Sequence, residues 1–182
     1  MDSIHSRLRA LRDSATFWTE IRYHKRQSRV LGVRKGEVSE MSSKHYEGVG
    51  IRVLLNGTFG FSSTSNLSTE GVKKALSEAE MMAKELNERK KRKVEIPSSD
   101  RLATGEFFLD GYDELIQMPM EEKFSVMRES EEKMRSSSQN IESALCNYSE
   151  VFEDKIMLTT DGADSHIRLV RPELRFAAFG VD

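Results

Sequence analysis

The stretch from Glu47 to Glu70 constrains this chain more than any other. It reads GVGIRVLL, then Asn56-Gly57, then TFGFSS, then a run of small polar residues. Asn-Gly tolerates the positive φ that a type I′ turn needs at both central positions, so it predicts a two-residue hairpin. A lone hairpin is marginal in water, so its apolar face needs a cover. That cover follows at once. Ser65, Asn66 and Ser68 are all capable helix N-caps, and Glu70 falls in a first turn, where the helix dipole favours an anion. Val72, Ala75, Leu76, Ala79, Ala83 and Leu86 then recur at spacings of three and four, an apolar stripe suited to lying on a sheet.

The flanks extend the pattern. Ile4, Leu8, Leu11 and Ala15 share one helical stripe, with Arg7, Arg9 and Arg12 interspersed, which predicts a docking helix. It has no apolar h-region, so it is not a secretory signal, and Asp2 and Asp13 count against a transit peptide. From Ala15 to Arg34 the aromatic and β-branched content (Phe17, Trp18, Ile21, Tyr23, Val30, Val33) predicts strand. Arg34-Lys35-Gly36-Glu37 supplies a turn. A polar strand through Val38, Met41 and Tyr46 follows, and Glu47-Gly48 is expected to turn the chain into the next one. The first long helix closes in the basic run Arg89 to Lys93, before a loop at Pro97 and Ser98-Ser99. From Arg101 to Pro119 the periodicity is poor and predicts a long connection with a short turn. Pro119 opens a second long helix. Phe124, Met127 and Met134 form part of its inner face, and Glu121, Glu122, Glu129, Glu131 and Glu132 its outer one, up to Ser136-Ser137-Ser138. Three strands close the chain: Ile141 to Phe152, Lys155 to Thr160 and Ser165 to Val181, with turns at Glu153-Asp154 and Asp161-Gly162. The expected fold is α+β, an antiparallel β-sheet with helices packed mainly on one face. The expected order is α-β-β-β-β-α-α-β-β-β, in a single domain, 1–182.

Composition narrows the function classes. The 182 residues carry a formal charge of −2, with 37% hydrophobic and 32% charged residues. Such a balance gives no overall attraction to nucleic acid or an anionic membrane, so neither partner is expected. No apolar run approaches the roughly 20 residues of a transmembrane helix. Cys146 is the single cysteine, which excludes an internal disulfide and suits a reducing, cytoplasmic setting.

Few residues are candidates for chemistry. His5, His24, His45 and His166 never pair at the i, i+4 spacing of a helical zinc site. Asp161, Asp164 and His166 come nearest to a metal cluster, and a turn followed by a strand start accounts for them without one. Cys146 alternates with Tyr148 and Phe152, as a buried structural thiol would. Arg89 to Lys93 reads as a solvated helix end that compensates the dipole; as a nucleic-acid patch it lacks interleaved aromatics. No catalytic, cofactor-binding or metal residue is therefore assigned. Gly48 and Gly50 stand apart. Glycine weakens a strand unless a bulge or close backbone approach requires it. A bent strand at a sheet edge and an edge that receives another chain by strand addition both satisfy that requirement.

Residues 48 to 79, GVGIRVLLNGTFGFSSTSNLSTEGVKKALSEA, resemble the amino-terminal segment of the TldD/PmbA proteins. The shared order is a Gly-x-Gly-x-Arg strand, a Gly-Phe strand and a small-residue helix cap. GVRKGEVSEM (32 to 41), PMEEKFSVMRE (119 to 129) and EVFEDKIMLTTDGADSHIRLVRPELRFAAF (150 to 179) are similar to the TldD branch in particular. Ser62 departs from the pattern, where alanine is commoner. The resemblance implies a metallopeptidase family acting on unstructured peptides, often as homo- or hetero-dimers of TldD/PmbA-type subunits. Its zinc-binding His-Glu-x-x-x-His helix and later Cys ligand belong to a carboxy-terminal domain, and nothing in residues 1–182 matches them. The implied role is the non-catalytic amino-terminal part of a TldD-like zinc metallopeptidase, inactive alone, shaping the substrate cleft and subunit contacts. The alternative is a free-standing interaction or scaffold module without peptidase activity.

Overall fold

A computed structural model describes residues 3–89, 93–96 and 102–181. Along the chain run α1 (Ile4–Asp13), β1 (Trp18–Arg34), β2 (Glu37–Leu55), β3 (Thr58–Thr64), α2 (Thr69–Asn87), β4 (Thr104–Phe108), α3 (Tyr112–Gln117), α4 (Met120–Ser136), β5 (Ile141–Thr159) and β6 (Asp164–Gly180). The strands form one six-stranded sheet in the order β3-β2-β1-β5-β6-β4. The class is α+β, with four helices packed on the sheet. Lys90, Lys91 and Arg92 of the basic run, and the loop at Pro97 and Ser98-Ser99, lie outside the described residues.

The predicted hairpin is present in register, with Leu55 opposite Thr58 and Gly50 opposite Ser63. Asn56 and Gly57 take φ of 47° and 77°, as a type I′ turn requires. Lys35 and Gly36 do the same at the β1–β2 turn, with φ of 53° and 75°. Ser68 caps α2 by accepting the Gly71 N–H at 3.0 Å.

Two expected turns are instead strand. β2 runs unbroken through Glu47-Gly48 because the glycines there serve close packing and the Glu47 carboxylate accepts the Tyr23 hydroxyl at 2.7 Å. β5 likewise runs through Glu153-Asp154. Both carboxylates are partnered by the neighbouring strand: Glu153 by Arg171, and Asp154 by the His166 ring at 2.8 Å. Acidic pairs favour turns when solvated; here cross-strand hydrogen-bond partners hold them in the ladder. The third difference is β4, in the stretch read as a connection. Asp164 N–H donates to Ala103 O (3.0 Å) and Leu109 N–H to Arg168 O (2.9 Å). Residue numbers rise together on both strands, so β4 is parallel to β6, whereas the β2–β3 hairpin is antiparallel. All five β4 residues are exposed, so no alternation marked the strand.

The chain divides into two compact units. The first comprises Met1–Lys25, Tyr46–Phe108 and Asp154–Ile167; the second comprises Arg26–His45, Leu109–Glu153 and Arg168–Asp182. In the first, Leu8 and Leu11 of α1 and Val72, Ala75, Ala79 and Ala83 of α2 pack with Ile21, Val49, Ile51, Val53, Ile156 and Leu158. The tightest contact is at Gly60. A Cβ there would lie 2.0 Å from Ala79 O and 2.5 Å from Ala83 N, so α2 rests directly on the β3 backbone.

In the second unit, Leu31, Val33, Cys146 and Tyr148 pack against Met127 of α4, and Phe152 and Val170 against Tyr112 of α3. Two buried carboxylates fasten these layers. Glu150, fully buried, accepts Lys123 Nζ at 2.7 and 2.8 Å, the Tyr148 hydroxyl at 2.5 Å and Arg29 Nη1 at 3.2 Å. Lys123 gives its third proton to Leu115 O at 2.8 Å, tying the end of α3 to α4. Glu131, expected on the outer face, is fully buried. Its oxygens accept Lys35 N–H and Gly36 N–H at 3.0 and 3.1 Å, so the helix holds the β1–β2 turn by its backbone. Burial pushes the Tyr148 hydroxyl far up from its ordinary pKa, and its hydrogen bond to Glu150 adds to this, so it stays a donor.

Gly60→Ala is expected to destabilise the chain by about 3 kcal/mol in urea unfolding, since helix backbone must move to admit a methyl. Lys123→Met is expected to cost a similar ~3 kcal/mol by leaving Glu150 short of its main partner. Adding Glu150→Leu should recover part of that loss, a coupling readable in a double-mutant cycle.

Candidate functional site

Alternation along the strands of the first unit sorts side chains onto two faces. Ile21 and Tyr23 of β1 and Val49, Ile51 and Val53 of β2 are buried under α1 and α2. Arg22, His24, Gly48, Gly50 and Arg52 alternate with them and look out from the opposite face, as do Phe61 and Ser63 of β3.

That face carries a groove of about 710 Å³, floored by Gly48 and Gly50, with Arg22 and His24 on one side and Phe61 and Ser63 on the other. The glycines have specific duties. A Cβ on Gly48 would stand 3.1 Å from Thr64 O, and one on Gly50 would stand 3.4 Å from the Phe61 ring. Phe61 therefore leans across Gly50 from the diagonal position, an aromatic covering a bare strand backbone. Gly50 is paired with Ser63 in a strand that lies between β1 and β3, so neither sheet-edge reading holds there; the glycines instead make room for Thr64 O and the Phe61 ring of this same chain. Two smaller depressions adjoin. One of about 360 Å³ is bordered by Lys155, Met157 and Ile167, the other, of about 180 Å³, by Glu20, Arg52 and Phe61. Arg22 borders all three.

A single carboxylate arranges the charges. Glu20 is 7% exposed; Oε1 meets Arg22 Nε at 2.5 Å and Oε2 meets Arg52 Nη2 at 2.7 Å. Arg52 also lies over the Phe59 ring, 5.2 Å from its centroid. The two guanidinium groups are thus fixed by ion pairing and stacking on a rigid sheet. Such a surface presents fixed hydrogen-bond donors beside an aromatic ring on an open sheet face.

The other sequence candidates fall elsewhere. Asp164 accepts His5 Nε2 at 2.8 Å, Arg9 at 2.7 and 3.0 Å and Arg12 Nη1 at 3.3 Å, which straps α1 to the start of β6. His166 is turned to Asp154 and stacks edge-on with Phe108, 4.9 Å between centroids. Asp161 is held below the usual carboxylate range, chiefly by a hydrogen bond from Thr159. Asp164 and His166 both meet the His5 ring, the latter edge-on at 5.5 Å between centroids, but no group of three or more His, Cys, Asp or Glu among the described residues could hold a metal ion. Cys146 is fully buried among Leu31, Val33, Met127 and Tyr148. Burial, and then the charge of Glu131, push its thiol pKa up, away from nucleophilic use. Sequence reasoning passed over Glu20, Arg22 and Arg52. The available signal was a charge at alternate positions on an otherwise apolar strand.

An α+β domain with a grooved, open sheet face is the class that fold and site define. Comparison with known proteins makes it specific. Residues 19–83 match PmbA/TldA metallopeptidase domain 1. A metalloprotease of Methanocaldococcus jannaschii is 25% identical over 146 residues, covering 80% of this chain and 32% of that protein. The chain thus spans about a third of the length of this curated relative. Among solved structures, a candidate modulator of a DNA gyrase from Thermotoga maritima superposes with a TM-score of 0.73 at 18% identity. It covers 98% of this chain and 40% of its own. TldE from Thermococcus kodakarensis superposes with a TM-score of 0.64, also at 18% identity, covering 97% and 43%. Residues 19–83 are thus similar to the first domain of the PmbA/TldA metallopeptidases, and the fold of the chain is shared with these solved structures.

The Asp164 strap has a pH signature. Burial alone would raise its pKa, but hydrogen bonds from Arg9 and His5 outweigh burial and hold it below the usual 3.8. A carboxyl depressed on folding stabilises above its unfolded pKa, and that stability is lost as pH falls through the folded value. Asp164→Asn is therefore expected to lower unfolding free energy by about 1.5 kcal/mol at pH 7. The gap from wild type should close below pH 3.8, as followed by urea unfolding across pH.

Proposed function

We propose that this chain is the non-catalytic amino-terminal part of a TldD-like zinc metallopeptidase, and that its open sheet face lines the cleft that receives unstructured peptide. The observation behind this reading is the open groove of about 710 Å³ on the sheet face, lined by Arg22, His24, Gly48, Gly50, Phe61 and Ser63. The family match and the metalloprotease relative support the reaction class. The described residues do not fit a zinc site, because no three of them converge as ligands, so no hydrolytic step is assigned to them. Zinc-assisted attack on the peptide belongs to a further part of the polypeptide, and the residues here bind and orient.

A cytoplasmic setting and a homo- or hetero-dimer with a TldD/PmbA-type subunit accompany this reading. Leu174, Phe176 and Phe179 of β6 are each about half exposed, and such apolar surface suits a contact with more protein. No helix among the described residues is long and apolar enough to cross a membrane.

The 182-residue chain is expected to bind a flexible peptide while retaining no equimolar zinc and cleaving nothing. Elemental analysis, a fluorogenic peptide assay and peptide anisotropy check this together. Equimolar zinc with cleavage would overturn the non-catalytic role, and failure to bind any flexible peptide would overturn the cleft role.

A further inference from the structure

Resting on the reading of the open face as a peptide-binding wall, we infer that this wall prefers extended segments bearing carboxylate side chains, with Arg22 and Arg52 setting the preference. The charges bordering the three depressions are Arg22, Arg52 and Lys155 against Glu20 and Glu47. With His24 neutral they sum to +1, whereas the whole chain carries −2. The face is therefore opposite in sign to the molecule that bears it.

Placement strengthens the asymmetry. Glu47 is turned to the Tyr23 hydroxyl at 2.7 Å. Glu20 is 7% exposed and lies between two guanidinium groups whose side chains are 60% and 42% exposed. An incoming chain meets the guanidinium groups before it meets the carboxylate beneath them. A guanidinium has five N–H donors, and Glu20 takes one nitrogen of each, so both retain the fork that receives a carboxylate in two parallel hydrogen bonds. Arg52 is further immobilised on Phe59, so little side-chain entropy remains to be lost on binding. The groove is open to solvent along the sheet face, and alternate side chains of an extended segment laid in it point to one face, where the arginines stand.

The test uses fluorescence anisotropy with the 182-residue chain and three flexible peptides, identical except for Glu, Gln or Lys at alternate positions. The Glu peptide is expected to bind about two- to fivefold more tightly than the Gln peptide, as exposed ion pairs allow, with the Lys peptide weakest. Raising salt should shrink the difference. In the double variant Arg22→Gln/Arg52→Gln, shown by circular dichroism to be folded under the assay conditions, the Glu peptide should lose its advantage over the Gln peptide. Equal affinities for Glu and Gln peptides in the wild-type chain would overturn the acidic preference and leave the peptide-wall reading standing. A difference that survives the double variant would overturn the assignment to these arginines. No binding by any of the three would overturn the peptide-wall reading itself.

Discussion

The contact of α2 with Gly60 is the constraint from which the first unit follows. β3 is an edge strand of seven residues, paired on one side only, and such a strand is held weakly by its ladder. Ala79 and Ala83 bring helix backbone to within reach of strand backbone, closer than any side chain on either element would permit. Because β3 is pinned there, its opposite face is fixed too. Phe61 is then held across Gly50, and the groove has a wall of set position. A small residue on the covered face thus positions a large one on the open face.

Charge does for the second unit what small residues do for the first. Glu150 and Glu131 are both fully buried, and each gathers donors from elements distant in sequence. The Glu150 cluster joins α3, α4, β1 and β5; the Glu131 carboxylate clasps the turn between β1 and β2. Burying charge without partners would cost far more than these bonds return. Their satisfaction makes the layer specific, because no apolar substitute would demand that α4 sit over that turn.

The parts legible in sequence are those governed by short-range chemistry. Asn56-Gly57, Lys35-Gly36, the Ser68 cap and the Leu8–Leu11 stripe need only local backbone preference and period. Failures came where a distant partner decided the outcome. Glu153-Asp154 looks like a turn until Arg171 and His166 are placed beside it. Glu131 looks like a solvated glutamate until the β1–β2 turn arrives beneath it. Met120, Lys123, Met127, Glu131 and Met134 in fact share one helical stripe at spacings of three and four, but two charged members disguised it. Of the site, Gly48 and Gly50 were visible as anomalies. Glu20, Arg22 and Arg52 were not, because each is unremarkable until the sheet brings β1 and β2 together.

β4 carries a consequence for how the chain folds. β1 with β2, β2 with β3, and β5 with β6 are neighbours in sequence and can zip from their turns. β4 must instead find β6 about sixty residues further on, from Ala103 to Asp164, and pair with it in parallel. It buries no side chain in doing so and is held by ladder bonds and by Phe108 against His166. Loop-closure entropy is therefore offset late and only weakly. This strand is the last to join and the first to open, and its amide protons should exchange ahead of those of every other strand in the first unit.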